Sequence, residues 1–207
     1  MTAYLRRRRT QGVTMPGYSW LLGLLLIGNA HASEGETLTQ RNSETGLESW
    51  KTVKLGVTLE LTQLTPDQAR AFFLGRGFEP AEAEHYAAAC AFMTILRNES
   101  APAAIAYHLA EWRAVTAGGR TYPPKLKEDW LKEWEALNLS QVRKIAFEWS
   151  QLPSEQTFEP GDWNQGMTTF TLPRGSRFDL KFRWTIQGKQ QENIMKGVSC
   201  ANDASGN

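Results

Sequence analysis

The chain has 207 residues, 41% hydrophobic and 22% charged, a composition that builds a buried core and excludes a disordered or fibrous polymer. Its 23 basic and 22 acidic side chains nearly cancel, but four of the basic ones are the run Arg6 to Arg9. Without residues 1–32, which hold no acid, 19 basic side chains face 22 acidic ones; a net charge of −3 argues against a broad phosphate-binding surface, and so against nucleic acid as a partner.

Residues 1–32 read as a cleaved signal peptide. The arginine cluster precedes the apolar stretch Trp20 to Ile27, and Ala30-His31-Ala32 sets small residues at both positions that specify cleavage. The apolar run is about ten residues, where spanning a bilayer takes about 20. Release near Ala32 is therefore expected, with no permanent membrane anchor. Thr10-Gln11-Gly12 after Arg8-Arg9 lacks the apolar residue of a twin-arginine signal, which leaves the general secretory route. The localisation expected is periplasmic or secreted, in a bacterium. Residues 33–49, polar and aperiodic, read as a flexible lead-in, 50–202 as a single globular domain and 203–207 as a disordered tail.

From Val53 the chain alternates, Val53, Leu55, Val57, Leu59 and Leu61 on one face against Lys54, Gly56, Thr58, Glu60 and Thr62, which predicts one half-buried strand. Thr65-Pro66-Asp67-Gln68 opens a helix with a capping-box spacing, and Gly75 and Gly77 stop it. Pro80 opens a second helix, with Tyr86, Cys90 and Met93 along one stripe; together they predict a helical hairpin over 66–97. In residues 101–117 Ile105, Tyr107 and Leu109 alternate, favouring a strand over a helix. Leu126, Trp130, Trp134 and Leu137 recur at helical spacing and predict a third helix over 125–137.

Beyond it Ile145, Phe147 and Trp149 alternate, as do Thr168, Phe170 and Leu172, and then Phe178, Leu180, Phe182, Trp184 and Ile186. Gln187-Gly188 turns the chain into a last strand ending near Cys200. The fold class read from this order is α+β: a largely antiparallel sheet with three helices on one face and an all-strand C-terminal third. Cys90 and Cys200 are the only cysteines, and in an exported protein they are expected to form a disulfide closing nearly the whole domain.

Catalytic patterns are scarce. There is no Gly-x-Ser-x-Gly and no Gly-rich phosphate or dinucleotide motif. Ser176 follows Gly175 as ordinary turn chemistry. His85 and His108 have no second histidine at metal-ligand spacing; with Met93, Met167 or Met195 they are weak candidates for copper. Glu148, Glu155, Glu159 and Asp162 lie close in sequence, as paired carboxylates of a glycan- or peptide-acting hydrolase would. Asn98-Glu-Ser and Asn138-Leu-Ser match the glycosylation pattern by chance in a bacterial protein. Trp149 and Trp184 sit on apolar strand faces and are expected in the core. Trp163 lies outside any alternation, between Asp162 and Asn164, behind a type II turn at Pro160-Gly161.

Asp162, Trp163 and Asn164 are thus the expected binding residues. The function expected is an exported, non-catalytic binding or assembly protein acting on an envelope protein or a small ligand, without a cofactor. Copper or small-ligand handling is the alternative, and hydrolysis by paired carboxylates the third reading.

Overall fold

Strand pairing starts ahead of the alternation at Val53. A computed structural model describes residues 35–202; the expected signal peptide and the tail 203–207 lie outside the described residues. Thr37–Arg41 (β1) and Glu48–Lys54 (β2) pair antiparallel, so residues 37–41 and 48–49 of the expected lead-in are sheet. Its polarity belongs to an edge strand and to a turn in which the Asn42 side chain accepts the N–H groups of Glu44 and Thr45.

Val53 to Leu61 is not one strand. Leu55 and Gly56 both take positive φ, 52° and 74°, and form a two-residue turn between β2 and Val57–Leu64 (β3). The turn pairs Lys54 with Val57 and so exchanges the faces. Trp50 and Thr52 share the inner face with Leu61 and Leu59, while Val53 stands with Thr58 on the outer one. A Cβ on Gly56 would collide with the Ser100–Ala101 backbone, which fixes glycine there.

Pro66–Leu74 (α1) carries the expected capping box: the Thr65 hydroxyl accepts from the Gln68 N–H, and the Gln68 side chain accepts from the Thr65 N–H. Pro80–Ala87 (α2) follows, but the second helix does not run on to residue 97. Cys90–Asn98 is a strand (β4). It lies between β3 and Trp163–Phe170 (β10), with its inner face buried and its outer face partly covered by the helices, so its sequence CAFMTIL shows no polar alternation and imitates a buried helix.

Ile105–His108 (β5), one 3₁₀ turn at Leu109–Glu111 and Arg113–Thr116 (β6) confirm strand in 101–117. Thr121–Tyr122 (β7) and Pro124–Lys125 (β8) lead to Lys127–Ala136 (α3), and Gln141–Ser150 forms a fourth helix (α4) where a strand was expected. In a helix, positions two apart point in nearly opposite directions. Phe147 is accordingly buried, whereas Ile145 and Trp149 are 46% and 88% exposed. Arg143 ties α4 to α2 through Glu79 at 2.9 Å and Glu82 at 3.1 Å. After α4 the chain is all strand: Glu155–Phe158 (β9), β10, Arg177–Ile186 (β11) and Lys189–Ser199 (β12).

The first sheet runs β1-β2-β3-β4-β10-β8; in the second, β11 pairs β12 on one side and β5 and β6 on the other, with β9 beside β5 and β7 beside β6. Every pair of named strands is antiparallel. The inner faces bury Trp50, Phe92, Tyr107, Trp112, Phe170 and Phe182. The outer face of the first sheet packs under the helices through Phe73, Tyr86, Trp130, Trp134, Phe147 and Met167. The result is an α+β unit in three layers: helices, sheet, sheet. Cys90 and Cys200 are joined, with Cα atoms 5.1 Å apart, linking the start of β4 to the end of β12 rather than α2 to the last strand.

Candidate functional site

Asp162 is occupied by its own turn. Gly161 has φ +96°, the Asp162 N–H donates to the Glu159 carbonyl at 2.9 Å, and the Asp162 carboxylate accepts the Glu159 N–H at 3.0 Å. This is the expected type II turn, closed by a side chain. Asn164 is also engaged, donating to the Gln156 side chain at 2.8 Å and accepting the Gln165 N–H at 2.8 Å. Trp163 remains: 49% exposed, it opens β10 on the outer face, with the Arg97 guanidinium 4.5 Å from its ring centre.

Asn98, notable in the sequence only as a chance match to the glycosylation pattern, holds this corner. It is fully buried, donates to the carbonyls of Ala103 and Phe158 at 3.1 Å each and accepts the Ala101 N–H at 3.0 Å. Its backbone N–H donates to the Asp162 carbonyl at 2.9 Å. A side chain committed in this way is no glycan acceptor.

From Trp163 the outer face of the β4–β10 ladder leads toward the helices. The register pairs Trp163 with Arg97, Gln165 with Ile95 and Met167 with Met93, so about 13 Å of ladder joins the first pair to the last. At the helical end lies a groove of about 210 Å³. Phe72 of α1 and Arg76 of the turn that follows it form one wall, Ala146, Trp149 and Ser150 of α4 the other, and Met93 and Gln165 to Met167 the floor. A Cβ on Gly166 would run into the Leu152 backbone, so the chain leaving α4 crosses β10 where only glycine fits.

The groove is smaller than the roughly 300–1,000 Å³ of small-molecule pockets, and it suits one inserted side chain. The Arg76 guanidinium stacks 3.3 Å from the centre of the Phe72 ring. Among the described residues neither Arg76 nor Arg97 meets a carboxylate, so both present a cation backed by an aromatic face. Sequence reasoning found Trp163 here and missed Trp149, Phe72 and both arginines. Trp149 is exposed and not in the core because α4 is a helix, in which it points away from Phe147, and not the strand that the alternation predicts.

The other candidates are dispersed. His85 on α2 contacts Glu133 at 2.9 Å and lies edge-on to Trp130 and Trp134; His108 on β5 contacts Glu155 at 2.9 Å; Met93 is in the groove floor. Among the described residues no three His, Cys, Asp or Glu side chains converge as metal ligands would. Glu148 stands on α4, Glu155 is paired with His108 in the second sheet, and only Glu159 and Asp162 are neighbours. Ser176 lies in the β10–β11 turn, where its carbonyl accepts the Cys200 N–H at 2.9 Å.

Partial burial alone would raise the Glu133 carboxyl, but hydrogen bonds from Lys125 at 2.6 Å and from His85, with their charges, hold it below the usual carboxylate range. Burial pushes the Tyr86 and Tyr107 hydroxyls well above the ordinary phenol value, so neither trades protons near neutrality.

Comparison with protein-family models, with curated proteins and with solved structures finds no match to this chain. The disulfide fits an extracellular or periplasmic protein, and among the described residues no helix is long and apolar enough to cross a membrane.

Proposed function

We propose that this is an exported bacterial protein, released into the periplasm by cleavage near Ala32, and that it is a non-catalytic binding or assembly factor. Its contact surface is the outer face of the β4–β10 ladder, from Trp163 and Arg97 to the groove under Trp149. One observation carries the reading. Of the seven tryptophans among the described residues, Trp50, Trp112, Trp130, Trp134 and Trp184 are buried to within 1%, whereas Trp149 and Trp163 stand exposed at the two ends of one surface.

Exposed tryptophan flanked by arginine is the composition of interface anchors, where a few aromatic and guanidinium groups carry most of the binding energy. The groove accepts an apolar side chain of an envelope protein, and Arg76 and Arg97 favour carboxylates beside it. Asp162 and Asn164 act by holding the corner that presents Trp163.

Site-specific photo-crosslinking in intact cells tests this. A crosslinking residue in place of Trp163 is expected to give a discrete adduct that Trp149→Ala diminishes, while the same residue in place of exposed Lys132 on α3 gives none. Equal labelling from both positions defeats the assignment.

A further inference from the structure

Beside the Cys90–Cys200 bond, the β1–β2 turn and the end of β3 face the start of β11 and the end of β12 across a cleft of about 760 Å³. Unlike the groove under Trp149, it falls within the roughly 300–1,000 Å³ of small-molecule sites. Five residues cross it in order. Arg41 stands opposite Glu48 in the β1–β2 register, the Glu48 N–H donates to the Gln63 side chain at 2.9 Å, Gln63 donates to the Ser199 hydroxyl and carbonyl at 3.0 Å, and Ser199 stands opposite Arg177. A guanidinium therefore lies at each end of the row, one on each sheet.

The middle of the row is built, and its groups are matched to one another. Ser199 is 6% exposed and donates to one oxygen of the Glu48 carboxylate at 2.9 Å, and both ends of the Gln63 amide are engaged. What lines the cleft without a match is charge. Among the described residues neither Arg41 nor Arg177 forms an ion pair, and the second Glu48 oxygen accepts no hydrogen bond. We propose that the cleft binds an acidic amino acid or a short acidic peptide, one carboxylate on each guanidinium and the free ammonium on Glu48.

Charge selects this class. Two guanidiniums and one carboxylate give the row a net +1, and a ligand with two carboxylates and one ammonium opposes it group for group. The guanidinium fork matches the two oxygens of a carboxylate. A phosphate ion would meet Glu48 as a like charge, and an uncharged sugar would leave both arginines unanswered. Leu64, next to Gln63, pairs with Ala91, whereas Trp163 pairs with Arg97, so the cleft lies at the opposite end of β4 from Trp163 and is independent of that surface.

Isothermal titration of the purified protein at low salt tests this, with the dipeptide Gly-Glu as the probe. Gly-Glu is expected to bind saturably; Gly-Gln, which lacks one carboxylate, and N-acetyl-Gly-Glu, which lacks the ammonium, should each bind at least about tenfold more weakly. Arg41→Gln and Arg177→Gln should each weaken Gly-Glu by a similar factor, while Arg120→Gln, exposed between β6 and β7, leaves it unchanged. Glu48→Gln keeps an acceptor for Ser199 but should abolish the preference for the free ammonium over the acetylated form, which a merely structural Glu48 would not do. No heat from Gly-Glu up to about 10 mM overturns the proposal, as does equal binding of Gly-Gln or displacement by inorganic phosphate at the concentration of Gly-Glu itself.

Discussion

Trp134 and Trp149 are both helical tryptophans, yet truncating them removes different things. Trp134 is fully buried against Phe78, Trp130 and Phe147, and its loss opens a cavity that should cost about 3–5 kcal/mol. Its indole N–H finds no acceptor among the described groups, so Trp134→Phe, which removes an unsatisfied donor along with some volume, should cost less than Trp134→Ala. Trp149 packs on little, and Trp149→Ala should lie within about 0.5 kcal/mol of the parent. Urea titrations of the three variants measure this. Comparable losses at 134 and 149 would contradict the orientation of α4.

At Glu133 the residue scale meets pH. Its folded-state pKa is depressed, so its ion pairs contribute stability that is fully present above the unfolded carboxylate value and is lost as pH falls through the lower folded value. Stability should therefore decline below about pH 4.5, and Glu133→Gln should flatten that acid limb while also removing part of the neutral stability. Thermal melts between pH 3 and 7 check it; parallel curves for the two proteins would remove Glu133 from the account. The carboxylate is half exposed, and the effect should be small at high salt.

At the scale of elements, the signals that could be read were those carried by local chemistry. Thr65 with Gln68 caps α1, Gly75 and Gly77 end it, and strict alternation from Phe178 to Ile186 gives β11, each because the deciding contacts lie within a few residues. Where tertiary cover decides, the sequence pattern misled. β4 looks helical because the second sheet hides its inner face and the helices cover the start of its outer one, which leaves Met93 and Ile95 apolar beside the buried positions. α4 looks like a strand because Ile145 and Trp149, apolar and exposed, frame the one residue that enters the core.

A proline substitution separates the two readings of α4. Ile145→Pro stands inside the helix, removes an N–H from the ladder and clashes with the carbonyl four residues earlier, at about 3 kcal/mol or more. Ile145→Thr at the same exposed site should cost well under 1 kcal/mol. Denaturation midpoints compare them, and a proline tolerated as well as threonine would count against a helix over 141–150. The residues proposed to bind follow the same division: Trp163 could be singled out because it breaks an alternation, whereas the groove that Trp149 flanks exists only once α1, α4, β4 and β10 are assembled.

Over the whole molecule, the disulfide joins what the ladders do not. β4 is central in the first sheet and β12, the last strand, lies at the margin of the second, and among the described residues no strand of one sheet pairs with a strand of the other. Side chains bridge the same seam: Gln63 reaches the Ser199 carbonyl at 3.0 Å, Asn193 reaches the Thr52 hydroxyl at 2.9 Å and Lys54 reaches the Glu192 carbonyl at 2.8 Å. These hydrogen bonds exist only in the folded state. The Cys90–Cys200 bond, by contrast, also constrains the unfolded chain, closing a loop of 110 residues worth about 4.7 kcal/mol in the chain-entropy account.

For a protein of this size each kcal/mol moves the melting temperature by about 2–4 °C, so reduction should lower it by roughly 10–20 °C. Cys200→Ser should do nearly the same without reductant. Because the seam contacts and the buried core between the sheets survive, the reduced protein should keep its near-ultraviolet tryptophan signal at 20 °C and differ chiefly in the temperature at which it is lost. A reduced protein melting within about 2 °C of the oxidised one would mean that packing across the two inner faces, rather than the bond, holds the sheets together.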